Sequence, residues 1–277
     1  MDNAYKVGAL AVRERWSMVK PDALAALDAT TSEEIAIFAG SFDSVQNVFT
    51  HLEKDYSFAP SSLEGVRICF ENCPGDDDAK HLEELRSFVE AGGWLVTSDW
   101  ALKNVVEKAF PNTVRWNKAS TGDEVIGVEP MLATLWDEVT VPGVEPQWWL
   151  EGASYGIEVL DPERVEVVAA SHEMLVKYNA PVVAVRFDWG QGHVFHIVSH
   201  FWLKRSRAPG VRHRGPASDF MFQGMGLSEE QVASVFDRAR VKPGEVNFAS
   251  IQSAVTSIEL VAGLCVQSAR SQTSPRA

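Results

Sequence analysis

The sequence predicts an α/β domain in which helices cover both faces of a mostly parallel sheet. Three observations carry this prediction. Short apolar runs alternate with amphipathic helical patterns three times, each run ends in a turn of small or polar residues, and two later β-rich runs flank a short loop. Apolar strands that alternate with helices are typical of parallel sheets, because the crossover helices bury both sheet faces.

Three strand–turn–helix units precede residue 111. Their strands are predicted at Glu34–Gly40, Val66–Phe70 and Trp94–Thr97. Asp43 is placed to cap the helix that follows the first strand. The second strand leads into the turn Glu71–Gly75, and a Gly92-Gly93 pair ends the helix after it. The third strand leads into Ser98-Asp99.

A β-hairpin and terminal helices complete the predicted fold. Pro181–Phe187 and His193–Ser199 are rich in β-branched and aromatic residues, and we expect them to pair antiparallel at the end of the sheet. Residues 7–28 predict two short helices on the outside of the domain, and Ala249–Ser268 predicts a longer helix. Between about 112 and 165 the pattern breaks into pieces rich in Gly, Pro and Trp, which indicates an insertion or extended loops.

These elements divide the chain into three predicted parts. Residues 1–32 are an N-terminal helical extension, and residues 33–203 are the α/β domain with its insertion at about 112–165. Residues 204–277 are a basic loop followed by C-terminal helices that pack on the domain. One large core is expected, since 277 residues with 45% hydrophobic composition can bury it.

The charge balance excludes some classes of partner. Lys and Arg total 25 against 38 Asp and Glu, and the resulting net charge of −13 repels nucleic-acid phosphates and anionic lipids. The first residues carry charges throughout, unlike a signal peptide, and we expect no membrane-spanning segment. Three cysteines without metal-like spacing are typical of a reducing compartment. We therefore expect a cytoplasmic protein that binds neither nucleic acid nor membrane.

Three short motifs carry a family resemblance. Asn72–Gly75 is a Pro/Gly turn after a strand, Ala91–Val96 places a glycine pair before a strand, and Val194–His200 is a late strand that leads to a histidine. In this order they resemble the oxyanion loop, the nucleophile strand and the histidine strand of the class I glutamine amidotransferase-like superfamily, including its ThuA-like branch. The resemblance covers residues 34–110 and 180–202. It implies a flavodoxin-like sheet with a site at the carboxyl ends of the strands.

The resemblance stops at the nucleophile. The family's cysteine would stand at the turn after the third strand, where this chain has Thr97-Ser98-Asp99-Trp100. The family's acidic partner two residues beyond its histidine is also replaced, because Phe201 and Trp202 follow His200. Without a thiolate at this turn, glutamine hydrolysis through the usual triad is not expected.

Four residues are candidates for a non-standard catalytic site: Asp99, His200, Cys73 and Ser98. Asp99 and His200 are expected at the same edge of the sheet, where the carboxylate can orient the imidazole and raise its basicity. The alternative for Asp99 is a helix cap. Cys73 precedes a helix N-terminus, which favours a thiolate, but it lies among acidic residues, which disfavour one. The alternative for Cys73 is a part-buried structural thiol.

Candidate ligand-binding residues lie in the turn after the second strand and in the Trp-rich segment. They are Glu71, Asn72, Gly75, Trp148 and Trp149. The two tryptophans, with Tyr155, either wall a pocket or complete a core. A basic loop at 204–214 either binds an anion or acidic partner, or is simply solvated. We predict no metal site and no cofactor, because His196 and His200, about 13 Å apart on one strand, cannot share an ion.

The predicted function is a catalytically degenerate amidotransferase-like binding or scaffold protein of a bacterial multi-component system, with a protein partner. Two alternatives stay open. One is a hydrolase that uses Cys73, Ser98, Asp99 or His200 in a non-standard site, and the other is a sensor of a small polar ligand. Geometry separates them, since side chains within hydrogen-bond reach around an open pocket favour chemistry and a filled cleft favours a scaffold.

Overall fold

A computed structural model describes residues 1–132, 147–203 and 215–273 of the chain. The strands are β1 (Ile35–Phe38), β2 (Ser57–Phe58), β3 (Ile68–Glu71), β4 (Trp94–Ser98), β5 (Val114–Ser120), β6 (Glu124–Gly127), β7 (Glu129–Pro130), β8 (Gln147–Leu150), β9 (Tyr155–Val159), β10 (Val165–Ala170), β11 (Val182–Trp189) and β12 (Gly192–Ile197). The helices are α1 (Asp2–Val19), α2 (Pro21–Ala29), α3 (Gln46–His51), α4 (Ala79–Glu90), α5 (Glu107–Ala109), α6 (His172–Tyr178), α7 (Ala217–Asp219), α8 (Glu229–Ala239) and α9 (Phe248–Thr273). A π-helical turn, Leu102–Val106, runs into α5.

One large sheet forms the centre of the molecule. Its strands follow the order β2-β1-β3-β4-β12-β11-β10-β7, with β9 pairing to β11 and β5 pairing to β9. The first five strands in this order are parallel to their neighbours, and the strands beyond β12 are antiparallel. β3 and β4 are buried along their whole length, which explains why they are apolar on both faces. The predicted α/β, flavodoxin-like fold is confirmed.

The predicted hairpin forms, but the prediction that it ends the sheet is wrong. β11 and β12 pair antiparallel from Ala184 with Ile197 to Trp189 with Gly192. β12 lies beside β4, and the other edge of β11 is occupied by β10 and β9. The described part of the Trp-rich segment therefore supplies strands, not only loops. β10, which follows this segment, and β9 within it satisfy the backbone donors and acceptors that β11 would otherwise expose.

The terminal helices are extensively buried. Residues 7–28, predicted as two short helices, belong to the longer α1 and to α2, which begins at Pro21. Tyr5 and Trp16 of α1 have no exposed surface. α9 is long and apolar enough to cross a bilayer, with a mean hydropathy of 1.5, but its apolar window lies entirely inside the protein. These are the properties of a core helix.

The parallel half of the sheet determines where a site can form. Glu71 of β3 lies in register with Thr97 of β4, and Ser98 of β4 with Ile197 of β12. The three chain segments that leave these neighbouring strands therefore start at the same edge of the sheet. Cys73, Asp99 and His200 are on these segments.

Candidate active site

Cys73, Asp99 and His200 meet in one buried cluster at the carboxyl edge of the parallel strands. The sulfur of Cys73, a carboxylate oxygen of Asp99 and a ring nitrogen of His200 lie within 4.8 Å of one another. Nε2 of His200 is 3.3 Å from Oδ2 of Asp99. The exposed fractions of the three residues are 0%, 2% and 6%. The expected adjacency of Asp99 and His200 is found, and the cluster is nearly closed to solvent.

Asp99 stands at a sharp strand-to-helix turn in a left-handed backbone conformation, with φ of 48°. Such a φ is uncommon for a residue with a side chain and is a form of strain that clusters at functional sites. Oδ1 of the carboxylate accepts a hydrogen bond from the backbone N–H of Tyr155 at 2.9 Å, and Oδ2 accepts one from the hydroxyl of Ser154 at 3.2 Å. The helix-cap interpretation of Asp99 is therefore wrong, because tertiary partners from the segment before β9 hold the carboxylate.

His200 is held between two carboxylates. Its Nδ1 lies 2.7 Å from Oε2 of Glu151, which directly follows β8, while Nε2 faces Asp99. Ser199, with φ of 64°, turns the chain at this point, and its hydroxyl accepts a hydrogen bond from the backbone N–H of Glu151 at 2.9 Å. Burial lowers the pKa of His200, but interactions with Asp99, Cys73 and Glu151 outweigh it and raise the pKa to about 12. The imidazole is therefore a cation at neutral pH.

Asp43 fixes the loop that carries His200. Its Oδ2 accepts hydrogen bonds from the hydroxyl of Ser98 at 2.7 Å and from the backbone N–H of Phe201 at 3.0 Å. Its Oδ1 accepts one from the backbone N–H of Trp202, also at 3.0 Å. Asp43 has no exposed surface and joins the segments after β1, β4 and β12. The predicted role as a helix cap is wrong, because α3 has Val45 at its N-cap and, apart from the backbone N–H of Ser44, the partners of the carboxylate lie in distant parts of the chain.

Cys73 sits in a closely packed crossing of two loops. Its carbonyl oxygen accepts hydrogen bonds from the backbone N–H groups of Phe42 and Asp43, and a Cβ on Gly40 would lie 2.2 Å from the same oxygen. Only glycine fits at residue 40 without a shift of backbone. Burial raises the pKa of the Cys73 thiol; contact with His200 lowers it, and the charge of Asp99 raises it further, so that the net shift is upward. The thiol form dominates at neutral pH.

We therefore expect Cys73 to react at least about 100-fold more slowly with a thiol reagent at pH 7 than the same thiol in urea-unfolded protein. Both the missing thiolate and the buried sulfur act in this direction. The rate is measured with a chromogenic disulfide, and peptide mass spectrometry assigns the labelled cysteine. Cys265, which is also buried, is the internal reference. Fast labelling confined to Cys73 would contradict this account and support a thiol nucleophile.

Aromatic rings surround the segment that holds Asp99. The rings of Trp100 and Tyr155 stack at 5.4 Å, Tyr155 stacks on Trp116 at 4.2 Å, and Phe42 meets Trp100 edge-on at 5.0 Å. Trp100 also donates a hydrogen bond from Nε1 to the carbonyl of Ala153 at 2.8 Å. Phe42 is 44% exposed, so this group reaches the surface. The group therefore lies between the buried Asp99 turn and the surface, and it presents apolar ring faces there.

Ser98 does not join the cluster. Its hydroxyl donates a hydrogen bond to Asp43 and makes none to His200 among the described contacts. Thr97 and His196 form a second pair on the sheet, with Oγ1 of the threonine 2.8 Å from Nδ1 of the histidine. Burial lowers the pKa of His196 to about 3, which keeps it neutral. These residues connect strands, and the proposed catalytic role of Ser98 is not supported by its contacts.

The candidate ligand-binding residues of the turn after β3 make structural contacts. Glu71 accepts hydrogen bonds from the backbone N–H of Asp76 and from Nε2 of His81. The amide of Asn72 accepts from the backbone N–H of Val45 and donates to the carbonyl of Phe38. Gly75 adopts φ of 79°, and a Cβ there would approach Val105 to 2.6 Å. The polar groups of Glu71 and Asn72 are thus used in hydrogen bonds within the protein, and these bonds hold the turn in place.

Trp148 and Trp149 are core residues. Each is 3% exposed, and Nε1 of Trp148 donates a hydrogen bond to the carbonyl of Val198. Of the two interpretations open from sequence, completion of a core is the one observed. Tyr155, in contrast, lies at the cluster, because its backbone N–H donates a hydrogen bond to Asp99. Burial and then the charges of Asp99 and Cys73 raise the pKa of its hydroxyl. The basic loop at 204–214 lies outside the described residues.

Four site residues escape the sequence analysis: Glu151, Ser154, the backbone of Tyr155, and Asp43 as a positioning residue. Glu151 follows an apolar strand directly, as Asp99 does, and this position is the only sequence signal it carries. The strand belongs to an irregular segment whose pairing with β6 cannot be read from periodicity. Tertiary pairing, not local pattern, brings Glu151 to His200.

No protein-family model and no curated protein matches the sequence. Among solved structures, the chain is similar to a glutamine amidotransferase from Thermotoga maritima, at 10% identity and a TM-score of 0.49, over 85% of this chain and 98% of that one. It is also similar to a β-galactosidase from Bacillus circulans, at 14% identity and a TM-score of 0.44, over 80% of this chain. A cytoplasmic protein from Salmonella typhimurium matches at 12% identity and a TM-score of 0.43, over 69% of this chain and 95% of that one.

The chain spans 34% of the length of the β-galactosidase. All three TM-scores are below 0.5. The assignment of the fold rests on the strand order and register of the sheet itself.

Proposed function

We propose that the chain is a hydrolase for a small polar substrate, with Asp99 and His200 as its acid–base pair. One observation carries the proposal: the imidazole of His200 is fixed by Glu151 on one nitrogen and faces, with the other, a carboxylate held in a left-handed turn. A base, an acid and an orienting group in this order are the usual parts of an acid–base site. A scaffold function, expected from the missing cysteine, does not require a histidine held between Glu151 and Asp99.

The charges assign a role to each group. Asp99 is a carboxylate that can take a proton from an attacking water, and the His200 cation can give one to the leaving group. Glu151 stabilises that cation and fixes the ring, which is the role of the third member in a nucleophile–base–acid triad. Cys73, as a neutral thiol, lies beside His200 and Asp99 and can form a hydrogen bond with them. We expect a small substrate, because Cys73, Asp99 and His200 are nearly closed to solvent.

The proposal places the chain apart from glutamine-hydrolysing relatives of the same fold. The turn Thr97–Trp100, where the family resemblance puts the nucleophile, carries Asp99 and no cysteine, and a carboxylate oxygen forms a different covalent chemistry from a thiolate. We also propose membership of the ThuA-like branch, on the sequence motifs and on this replacement.

A substrate panel tests the function. Nitrophenyl esters, phosphates and glycosides are incubated with the protein, and ammonia release from glutamine is followed in parallel. We expect turnover of at least one nitrophenyl class, reduced at least about 100-fold by Asp99→Asn and by His200→Gln, because each removes one partner of the proton transfer. No ammonia above background is expected from glutamine, since an elbow thiolate is missing.

The matched controls are His172→Gln, an exposed histidine on α6, and Cys265→Ala, a buried cysteine on α9. Both should keep wild-type turnover. Turnover that persists in Asp99→Asn and His200→Gln would contradict the proposal. Ammonia release that is lost in Cys73→Ala would show instead that a thiol route exists.

A binding role is the second candidate, and the burial of the cluster favours it. A side chain such as Asp99, 2% exposed, is as closed as a core residue. In this version the chain is a sensor of a small polar ligand or a scaffold with a protein partner in a bacterial, cytoplasmic assembly. A panel without turnover, together with a ligand-induced rise in melting temperature, would favour the sensor.

A further inference from the structure

We propose that Cys73, Asp99 and His200 bind a zinc ion. The three side chains come from the segments after β3, β4 and β12, and their donor atoms lie within 4.8 Å of one another. Thiolate, carboxylate and imidazole are the three side-chain groups that zinc prefers. The site shares its residues with the proposed function, but it binds metal whether or not a substrate is turned over.

The separation of the nitrogen and oxygen donors fits a tetrahedral ion. Zinc bonds of about 2.1 Å to nitrogen and oxygen place those two donors roughly 3.4 Å apart in a tetrahedral site. Nε2 of His200 and Oδ2 of Asp99 are 3.3 Å apart. At this separation Nε2 has no aligned hydrogen-bond partner among the described residues, although it is buried. A buried ring nitrogen that lies close to a carboxylate oxygen and a sulfur, without an aligned hydrogen bond, is placed as a metal ligand would be.

The surroundings are those of a metal-binding histidine. Metal-bound imidazoles commonly donate their other N–H to a carboxylate, which fixes the ring and increases its basicity. Nδ1 of His200 makes this contact with Glu151 at 2.7 Å. The Asp99 carboxylate is itself oriented by the N–H of Tyr155 and the hydroxyl of Ser154. Both ligands therefore have the supporting contacts that a preformed site requires.

Charge and donor type select the ion. A thiolate and a carboxylate together neutralise a dication, and a sulfur with an imidazole favours zinc over the harder magnesium or calcium ions. Three protein ligands leave a fourth position for water, the arrangement of catalytic zinc sites. In the metal-loaded protein this water would supply the nucleophile, so that the same cluster stays hydrolytic.

Metal binding is tested on the full chain without substrate. Protein treated with a chelator is titrated at pH 8 with Zn²⁺ by calorimetry and with Co²⁺ by absorbance, because the ligands must lose protons on binding. We expect one ion per chain and a thiolate-to-cobalt charge-transfer band, with no comparable binding of Mg²⁺. Cys73→Ala should abolish the band, and Asp99→Asn should weaken zinc binding at least about 100-fold. Glu151→Gln, which removes only the supporting carboxylate, should weaken it about 10- to 100-fold.

The controls separate this site from any other. Cys69→Ala and Cys265→Ala remove buried cysteines outside the cluster, and His172→Gln removes an exposed histidine; all should bind zinc as the wild type does. If Cys73→Ala does not fold, Cys73→Ser replaces it, with circular dichroism as the check. No zinc binding at one equivalent, or binding that Cys73→Ser and Asp99→Asn leave unchanged, overturns the inference.

The outcomes for zinc and for the hydrolase are independent. One outcome is zinc binding that depends on the cluster while turnover is unchanged by Asp99→Asn. That outcome rejects the hydrolase proposal and supports the metal site. The opposite outcome is turnover that depends on Asp99 in chelator-treated protein that does not bind zinc. That outcome rejects the metal site and supports the acid–base pair.

Discussion

Asp43→Ala is expected to lower the free energy of unfolding by about 3–5 kcal/mol, measured by urea denaturation at pH 7. The substitution leaves the hydroxyl of Ser98 and the backbone N–H groups of Phe201 and Trp202 without their acceptor in a buried place. A buried donor left unsatisfied costs about 1–3 kcal/mol, and three such donors are affected, with partial relief from relaxation. An effect of this size would identify Asp43 as the residue that fixes the loop bearing His200.

Asp28→Ala is the matched control. Asp28 pairs with Arg13 at 2.8 Å on the surface, and such exposed ion pairs contribute at most about 1 kcal/mol. Asp43→Asn keeps one acceptor oxygen and should fall between the two. An Asp43→Ala protein no less stable than Asp28→Ala would mean that the loop does not depend on the carboxylate.

Stability should also fall as pH rises, through His200. The folded-state pKa of about 12 lies above the ordinary value of 6.5. For a raised pKa, the stabilisation is fully present below the unfolded pKa and is lost as pH rises towards the folded pKa. In this window the native state holds one proton that the unfolded state has released, which reduces the free energy of unfolding by about 1.4 kcal/mol per pH unit.

The comparison with His200→Gln isolates this slope. The difference in free energy of unfolding between wild type and variant should shrink by about 1.4 kcal/mol per pH unit between about pH 7 and pH 9, because glutamine carries no such proton. His172→Gln should run parallel to the wild type across the range. A wild-type curve that also runs parallel to His200→Gln would show that the imidazole is neutral in the folded protein.

The fold could be predicted from sequence where local pattern and global structure agree. β3 and β4 are short apolar runs bounded by turn residues, and a parallel sheet buries them on both faces, so that their length and flanking turns identify them. Asp99 and His200 follow two such strands, and parallel strands end at one edge. Their meeting could therefore be expected without knowledge of any side-chain contact.

The remainder of the site depends on tertiary pairing. Glu151 follows β8, which pairs with β6 in a separate two-stranded sheet, and no period in the sequence states that pairing. Asp43 satisfies the local rule for a helix cap, but besides the neighbouring Ser44 its donors lie 55 to 159 residues further along the chain. The position of the hairpin inside the sheet has the same origin, because the edge of β11 is paired with β10 and with β9 of the irregular segment.

The protonation state of His200 is the most direct test of the claim that Asp99, His200 and Glu151 form one acid–base unit. Imidazole nitrogen NMR on chelator-treated, ¹⁵N-labelled protein reports both ring nitrogens, with His200→Gln to assign the signals. The account predicts that both nitrogens stay protonated from about pH 6 to pH 9, and that Asp99→Asn or Glu151→Gln moves the pKa of His200 towards its ordinary value. A neutral imidazole at pH 7, or a His200 that titrates near 6.5 and ignores both substitutions, would contradict it.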